Sequence, residues 1–456
     1  MSEVLWRSDE IAAAVGGEAS ADFAVKGISI DTRSLKEGDL FVALKDQRDG
    51  HDFLEQAFAS GAGGALVSKS CGGPNVRAND TLKALRGLGQ AGVNRSKAAR
   101  IAVTGSVGKT SVKDALAVML SRFGNVHKSL KSFNNHIGVP ITMALMPQSS
   151  DYGVFEMGMN HAGELSDLSK LLAPNIAVIT TVAAAHLAHF ENVDAIARAK
   201  AEIMDGLSEG GTLILNGDND YTPLIRDMAA SKNIRVMTFG HDNANDVVIV
   251  STNSHAGGGN VRLRVEHQQI DVTLSVPGEH WFSNAACCLA VAKVLGVDLR
   301  KAAMGLRAVQ PAAGRGDKHS LSVDGKSITL INESYNANPA SMRAAVSAAA
   351  LSTGRKLAVL GAMGELGADE LALHADLAAP LIEAGFARVI TVGETMRALR
   401  GALPQEMRGA WVANETEAED ALRGEIQDGD IVLIKGSNAV GLGKLTARLI
   451  DSHKQD

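Results

Sequence analysis

The chain is predicted to be an α/β protein of three domains, and three observations carry that expectation. Its 456 residues exceed the roughly 250–300 at which a single hydrophobic core stops growing. Short apolar runs alternate with helically patterned stretches, the rhythm of a sheet covered by helices on both faces. The run Thr104-Gly105-Ser106-Val107-Gly108-Lys109, followed by Thr110, lies between an apolar strand and a helix start, which is the setting of a phosphate-binding loop.

Residues 1–84 mix short strands, such as 40–44, with a helix near 52–60, while 71–78, holding two glycines and a proline, reads as loop. Residues 85–312 repeat strand then helix. The runs 154–155, 176–182 and 212–215 are apolar enough for buried parallel strands. Residues 313–456 continue the alternation with strands expected at 356–360, 388–392 and 430–434. The lysines and arginines (45) are outnumbered by the aspartates and glutamates (51), giving a net charge of -6. That balance argues against nucleic acid as a partner. Three cysteines, Cys71, Cys287 and Cys288, form neither a disulfide framework nor a metal-ligand spacing. With no leader pattern and no apolar run near ~20 residues, the expectation is a cytoplasmic protein without a membrane span.

The loop is where chemistry becomes legible. Ile101, Ala102 and Val103 form the strand, and Val112, Ala115, Leu116, Met119 and Leu120 recur on one helix face. Backbone N–H groups from Ser106, Val107 and Ser111 at such a helix start favour an anion. Gly105 and Gly108 let the backbone approach phosphates, Lys109 reaches the terminal ones, and Thr110 offers a hydroxyl to Mg²⁺. Val103 stands where the general pattern has its first glycine, so the loop is a shortened variant. A nucleoside triphosphate is the expected ligand.

Glu156 ends the run 153–155 and is expected where Thr110 also lies, at the carboxyl edge of the sheet. Mg²⁺ prefers oxygen ligands, so the pair suits it. By spacing alone, His186 reads as a structural strand-end histidine and Lys200, within the helical stretch 194–203, as a solvated lysine.

Taken in order, Thr104–Thr110, Glu156-Met157-Gly158-Met159-Asn160-His161, Ala184-Ala185-His186-Leu187 and Ala199-Lys200-Ala201-Glu202-Ile203 resemble the Mur ligases, ATP-dependent enzymes that extend the peptide of the bacterial cell-wall precursor. Glu333-Ser334-Tyr335-Asn336-Ala337-Asn338-Pro339 and Lys435-Gly436-Ser437 draw the likeness toward the branch that adds D-alanyl-D-alanine to UDP-N-acetylmuramoyl-tripeptide. Ser29-Ile30-Asp31-Thr32-Arg33 and Asp49-Gly50-His51-Asp52-Phe53 are similar to that family's uridine-nucleotide module.

The resemblance implies a substrate module at 1–84, a central ATPase-like parallel-sheet domain at 85–312, and a Rossmann-like domain at 313–456 that binds the dipeptide and closes on ATP. It implies that Thr110 and Glu156 hold one Mg²⁺, and that His186 serves a second ion beside Lys200, carbamylated by CO₂. Asn284 would read the adenine side, and Arg315, Tyr335 and Asn336 would meet the nucleotide from the C-terminal domain. Asn338 would lie nearer the acceptor, Thr32, Arg33 and His51 would hold the uridine end, and Asn134 and Asn135 would line the peptide's path. The reaction would pass through an acyl phosphate, in a protein acting as a monomer. Asn332, Ala362 and Asn438 depart from residues common in the family, all in the C-terminal domain. Another Mur-type amino-acid ligase, a folylpolyglutamate synthase-like ligase and a non-catalytic nucleotide-binding protein are the alternatives; the last would be expected to lack some of Lys109, Glu156, His186 and Lys200.

Overall fold

The computed structural model describes residues 4–130, 133–184 and 187–453; His186 lies outside the described residues. Three helix-covered sheets follow one another along the chain.

The central sheet has nine strands. Its loop-bearing strand Ala99–Thr104 sits between Tyr152–Glu156 and Ile176–Ile179, all parallel. Register pairs Glu156 with Val103 and Ile179 with Thr104, so three strand ends open onto one edge. Alternation splits the apolar residues between two faces. Ile101, Val103, Val154 and Val178 pack on the helices Lys109–Leu120 and His280–Val294, while Ala102, Phe155, Ala177 and Ile179 pack with Leu165, Leu168 and Ile196 on the other side. The expected face Val112, Ala115, Leu116, Met119 and Leu120 is buried.

Three expectations need correction. The central sheet is not wholly parallel: Gly258–Val265 and Gln268–Leu274 join antiparallel beyond Val247–His255. Only Ala256 and Gly257 link the first pair, and so short a link can join strands only antiparallel. Within 71–78, Asn75–Arg77 is a strand, parallel to Gly64–Val67 and antiparallel to Glu18–Ala19. The glycines and proline end at Pro74, after which buried Val76 anchors the pairing. The strand begun at Ile176 stops at Ile179 rather than 182, because the next residues turn to hold the phosphate loop.

The N-terminal sheet runs Glu18–Ala19, Asn75–Arg77, Gly64–Val67, Asp39–Val42, Gly27–Ser29. Helix Thr81–Asn94 runs without a break across 84/85 and packs on the central helix Gly138–Ala144. The C-terminal sheet places Lys326–Glu333 beside Asp430–Lys435 in parallel, with Asp317–Val323 antiparallel at its edge. Among the described residues, no helix is long and apolar enough to cross a membrane.

Candidate active site

The phosphate loop is shaped by backbone that only glycine adopts easily. Gly105 has φ +149° and Gly108, which precedes helix Lys109–Leu120, has φ +90°. A Cβ on Gly105 would fall 1.9 Å from Thr180 Oγ1. That hydroxyl instead donates to Val107 O at 2.5 Å, while Ser106 N donates to Thr181 O and Ser106 Oγ to Ala183 O, both at 2.9 Å. The neighbouring strand's exit thus clamps the loop open. Lys109 Nζ reaches across it to Gly105 O, 2.7 Å away.

Beneath the loop, Thr110 Oγ1 donates to Glu156 Oε2 at 2.8 Å and Asn134 Nδ2 to Oε1 at 2.9 Å, and Glu156 N donates to Ser129 Oγ. Glu156 is 1% exposed. Hydroxyl and carboxylate are hard oxygen donors, and the set fits Mg²⁺, which is usually held by one or two carboxylates together with substrate phosphates and water. Among the described residues no group of three or more histidines, cysteines, aspartates or glutamates could enclose an ion, so phosphate oxygens and water would complete its shell. Lys113, one turn along from Thr110, is buried with Nζ 3.9 Å from Glu156 Oε2 and 3.4 Å from Asp114.

Lys200 is not a solvated helix lysine. It is 2% exposed and lines the same cleft. Burial pushes its ammonium well below the ordinary lysine value, and the charge of Lys109 pushes the same way. Lys109 is itself lowered by burial and by Arg315, against the pull of Glu156.

The opposite wall comes from the C-terminal domain. The guanidinium of Arg315 lies over the Tyr335 ring at 4.1 Å, and Asn336 and Asn338 line the wall. Asn338 caps helix Pro339–Ala350 through Ser341 N and reaches Ser106 O at 3.5 Å. Lys435, 2% exposed, donates to Glu333 Oε2 at 3.2 Å and Asn336 O at 2.8 Å. His280 completes the wall from the central domain, its pKa lowered chiefly by burial. The sequence reading gave Thr180, Lys113, His280, Glu333 and Lys435 no role. For the last two the sign was the matched strand ends 333 and 435; for Lys113 it was the i+3 spacing from Thr110.

The loop residues 106–111, Asn134, Asn135, Glu156, Lys200, Arg315, Tyr335, Asn336 and Asn338 therefore share one cleft. Asn284 sits behind the loop, its Oδ1 3.3 Å from where a Cβ on Gly108 would stand, with its buried Nδ2 unpartnered. Asn135 also accepts from Gly138 N. Thr32, Arg33 and His51 lie apart in the N-terminal domain, the first two in a turn and His51 in the short helix Gly50–Phe53. Arg33 is paired with Asp31, and His51 is held between Asp49 and Ser68 N.

Comparison with known proteins bears on these walls together. Residues 103–292 match the model of the Mur ligase middle domain, and 320–438 that of the Mur ligase, glutamate ligase domain. The chain is 36% identical to UDP-N-acetylmuramoyl-tripeptide–D-alanyl-D-alanine ligase of Escherichia coli, covering 94% of each. It is 31% identical to the protein of that name from Rickettsia prowazekii, over 97% of this chain and 99% of the relative. A crystal structure of MurF from Acinetobacter baumannii superposes with a TM-score of 0.85 at 30% identity, covering 98% and 99% of the two chains.

Proposed function

Since the chain belongs to the Mur ligase family, we propose that it joins D-alanyl-D-alanine to UDP-N-acetylmuramoyl-tripeptide, converting ATP to ADP and phosphate. The observation that carries the reading is the buried Thr110–Glu156 pair under a glycine-shaped loop, faced across one cleft by Arg315 and Lys435.

A carboxylate does not accept an amine at neutral pH without a leaving group. The tripeptide's terminal carboxylate attacks the γ-phosphorus of ATP, ADP departs, and an acyl phosphate forms. The dipeptide's amine then adds to the acyl carbon, and the tetrahedral adduct collapses to amide and inorganic phosphate. Lys109 and the loop amides hold the transferring phosphoryl group, and Arg315 brings positive charge from the far wall; such fixed charges act most strongly where charge shifts in the transition state. Thr110 and Glu156 would hold Mg²⁺, which screens the repulsion between two anions that must meet. Burial, with the charge of Lys109, lowers the pKa of Lys200 and so favours the neutral amine, the form that takes up CO₂; a carbamate there would turn a cation into an oxygen anion suited, with His186, to a second ion. Contact between Asn338 and the loop supports closure of the walls, which keeps water from the acyl phosphate.

Residues 1–84 would anchor the uridine end through Thr32, Arg33 and His51, and the peptide would run past Asn134 and Asn135 to residues 85–312, with 313–456 presenting the dipeptide. One chain supplies the whole cleft, in keeping with a monomer working in the cytoplasm. ADP release by the purified chain should require both the UDP-tripeptide and D-alanyl-D-alanine, assayed with diaminopimelate and with lysine tripeptides. Turnover with a folate and glutamate instead, or ADP release indifferent to the dipeptide, would overturn the reading.

A further inference from the structure

Arg315 stands on a turn whose stability is not obvious from its sequence, Ala312-Ala313-Gly314-Arg315-Gly316-Asp317. Gly314 and Gly316 both have positive φ, +74° and +96°, and glycine resists such a fixed shape entropically. Main-chain bonds tie the turn to the end of strand Lys326–Glu333: Gly316 N donates to Asn332 O at 2.8 Å, and Tyr335 N to Gly314 O at 3.1 Å.

A side-chain network completes the attachment. Asp317 Oδ1 accepts from Gly314 N at 2.5 Å. Its Oδ2 takes Asn332 Nδ2 at 3.2 Å and His319 Nε2 at 2.6 Å. Asn332 is 6% exposed, and its Oδ1 accepts from Ser334 N at 3.2 Å and Ser334 Oγ at 2.7 Å. The Asn332 amide is thus used in both directions, donating to the turn and accepting from the segment that carries Tyr335. Asp317 needs a donor there, and Ser334 needs an acceptor. Only an amide at 332 meets both demands while 317 is a carboxylate, since two carboxylates at this spacing repel.

We propose that Asp317 and Asn332 form a complementary acid–amide pair that acts as the positioning device for Arg315, holding its turn so that the guanidinium stays over Tyr335 and faces the phosphate loop. Neither is a catalytic residue. The inference rests on the reading that Arg315 meets ATP, and it specifies how that contact is preset.

The pair has a distinctive chemical signature, because its two side chains can be exchanged. Asn332→Asp alone sets carboxylate against carboxylate. Asp317→Asn alone sets one NH₂ group against another, and turning either amide breaks the bond to Gly314 N or those to Ser334. In the exchanged variant, Asp317→Asn with Asn332→Asp, the new amide accepts from Gly314 N and donates to the new carboxylate, which still accepts from Ser334. His319 can accept where it formerly donated.

Calorimetry with a non-hydrolysable ATP analogue and Mg²⁺ tests this, with KM for the UDP-tripeptide and thermal melting measured alongside. Each single variant should weaken analogue binding about tenfold, the scale of one well-placed charged contact, with the UDP-tripeptide KM unchanged. The exchanged variant should recover to within about threefold of the parent, a coupling that independent sites do not show. With Arg315→Ala, itself about tenfold or more weaker, adding Asp317→Asn should bring no further loss. An exchanged variant as poor as the sum of the singles, or a loss from Asp317→Asn undiminished without Arg315, would overturn the proposal while leaving Arg315 at ATP. Parental affinity in Arg315→Ala would overturn the nucleotide reading and the proposal with it.

Discussion

The charged residues of the cleft and those of the N-terminal sheet live in opposite physical conditions. Arg33 has 82% of its side chain exposed and gives its guanidinium to Asp31 at 2.6 Å, an arrangement that holds Asp31 near pKa 2, chiefly through the hydrogen bond from Arg33. His51 has both ring nitrogens engaged, by Asp49 at 2.6 Å and by Ser68 N at 2.9 Å. These groups are locally satisfied. In the cleft, burial lowers the ionisation of both Lys109 and Lys200, with Arg315 adding to the effect on the first and Lys109 to that on the second, and Lys435 and Glu156 are nearly inaccessible. Charges held out of water against one another are the arrangement expected where an anion such as a triphosphate relieves the strain. An exposed arginine already paired with a neighbouring carboxylate is under no such strain.

The largest effect should come from the cleft. Lys109→Ala is expected to lower substrate-dependent ADP release by about 10²–10³ or more, on the scale of losing one preorganised transition-state charge, with circular dichroism and melting showing a folded protein. Near-parental release would break the contrast at its strongest point.

Lys200→Met sharpens it. In CO₂-free buffer the native chain holds fewer protons at Lys200 than the unfolded chain does, since burial lowers that pKa from the model-compound 10.5. Native stability contributed there is therefore penalised at neutral pH and recovers as pH rises toward the unfolded value. Replacing the lysine with methionine should raise the melting temperature near pH 7 and flatten its rise with pH, while nearly abolishing activity. The shorter Lys200→Ala should regain part of its activity when small carboxylic acids occupy the place proposed for a carbamate. A destabilised Lys200→Met with normal activity would mean a structural lysine.

The smallest effect belongs to the exposed side. Arg33→Ala should weaken UDP-tripeptide binding by about 1 kcal/mol, as for a partly solvated contact, and leave ATP-analogue affinity unchanged by calorimetry. Equal losses for both ligands, or none for either, would make residues 1–84 scaffolding.

What the sequence disclosed follows from how local each signal is. The loop and its helix were legible because strand, glycine turn and apolar helix face are contiguous in 101–120, and Thr110 with Glu156 followed from one rule about strand ends. Lys200 was not legible from its own helix, because the burial of one lysine depends on which wall the helix is packed against. The strand Asn75–Arg77 was hidden for a related reason: its pairing partners, Glu18–Ala19 and Gly64–Val67, are distant in sequence. Asn332 stood out only as a departure; its partner Asp317, fifteen residues earlier, becomes visible once the two strands are set antiparallel.

The central claim is that the tripeptide carboxylate attacks phosphorus in this cleft. Labelling both oxygens of that carboxylate with a heavy isotope tests it most directly, because a carboxylate oxygen that has formed an acyl phosphate leaves with phosphate when the amine displaces it. The account predicts that mass spectrometry finds the label in released inorganic phosphate in step with amide formed. Unlabelled phosphate alongside amide formation, with the displaced heavy oxygen found in water, would contradict it.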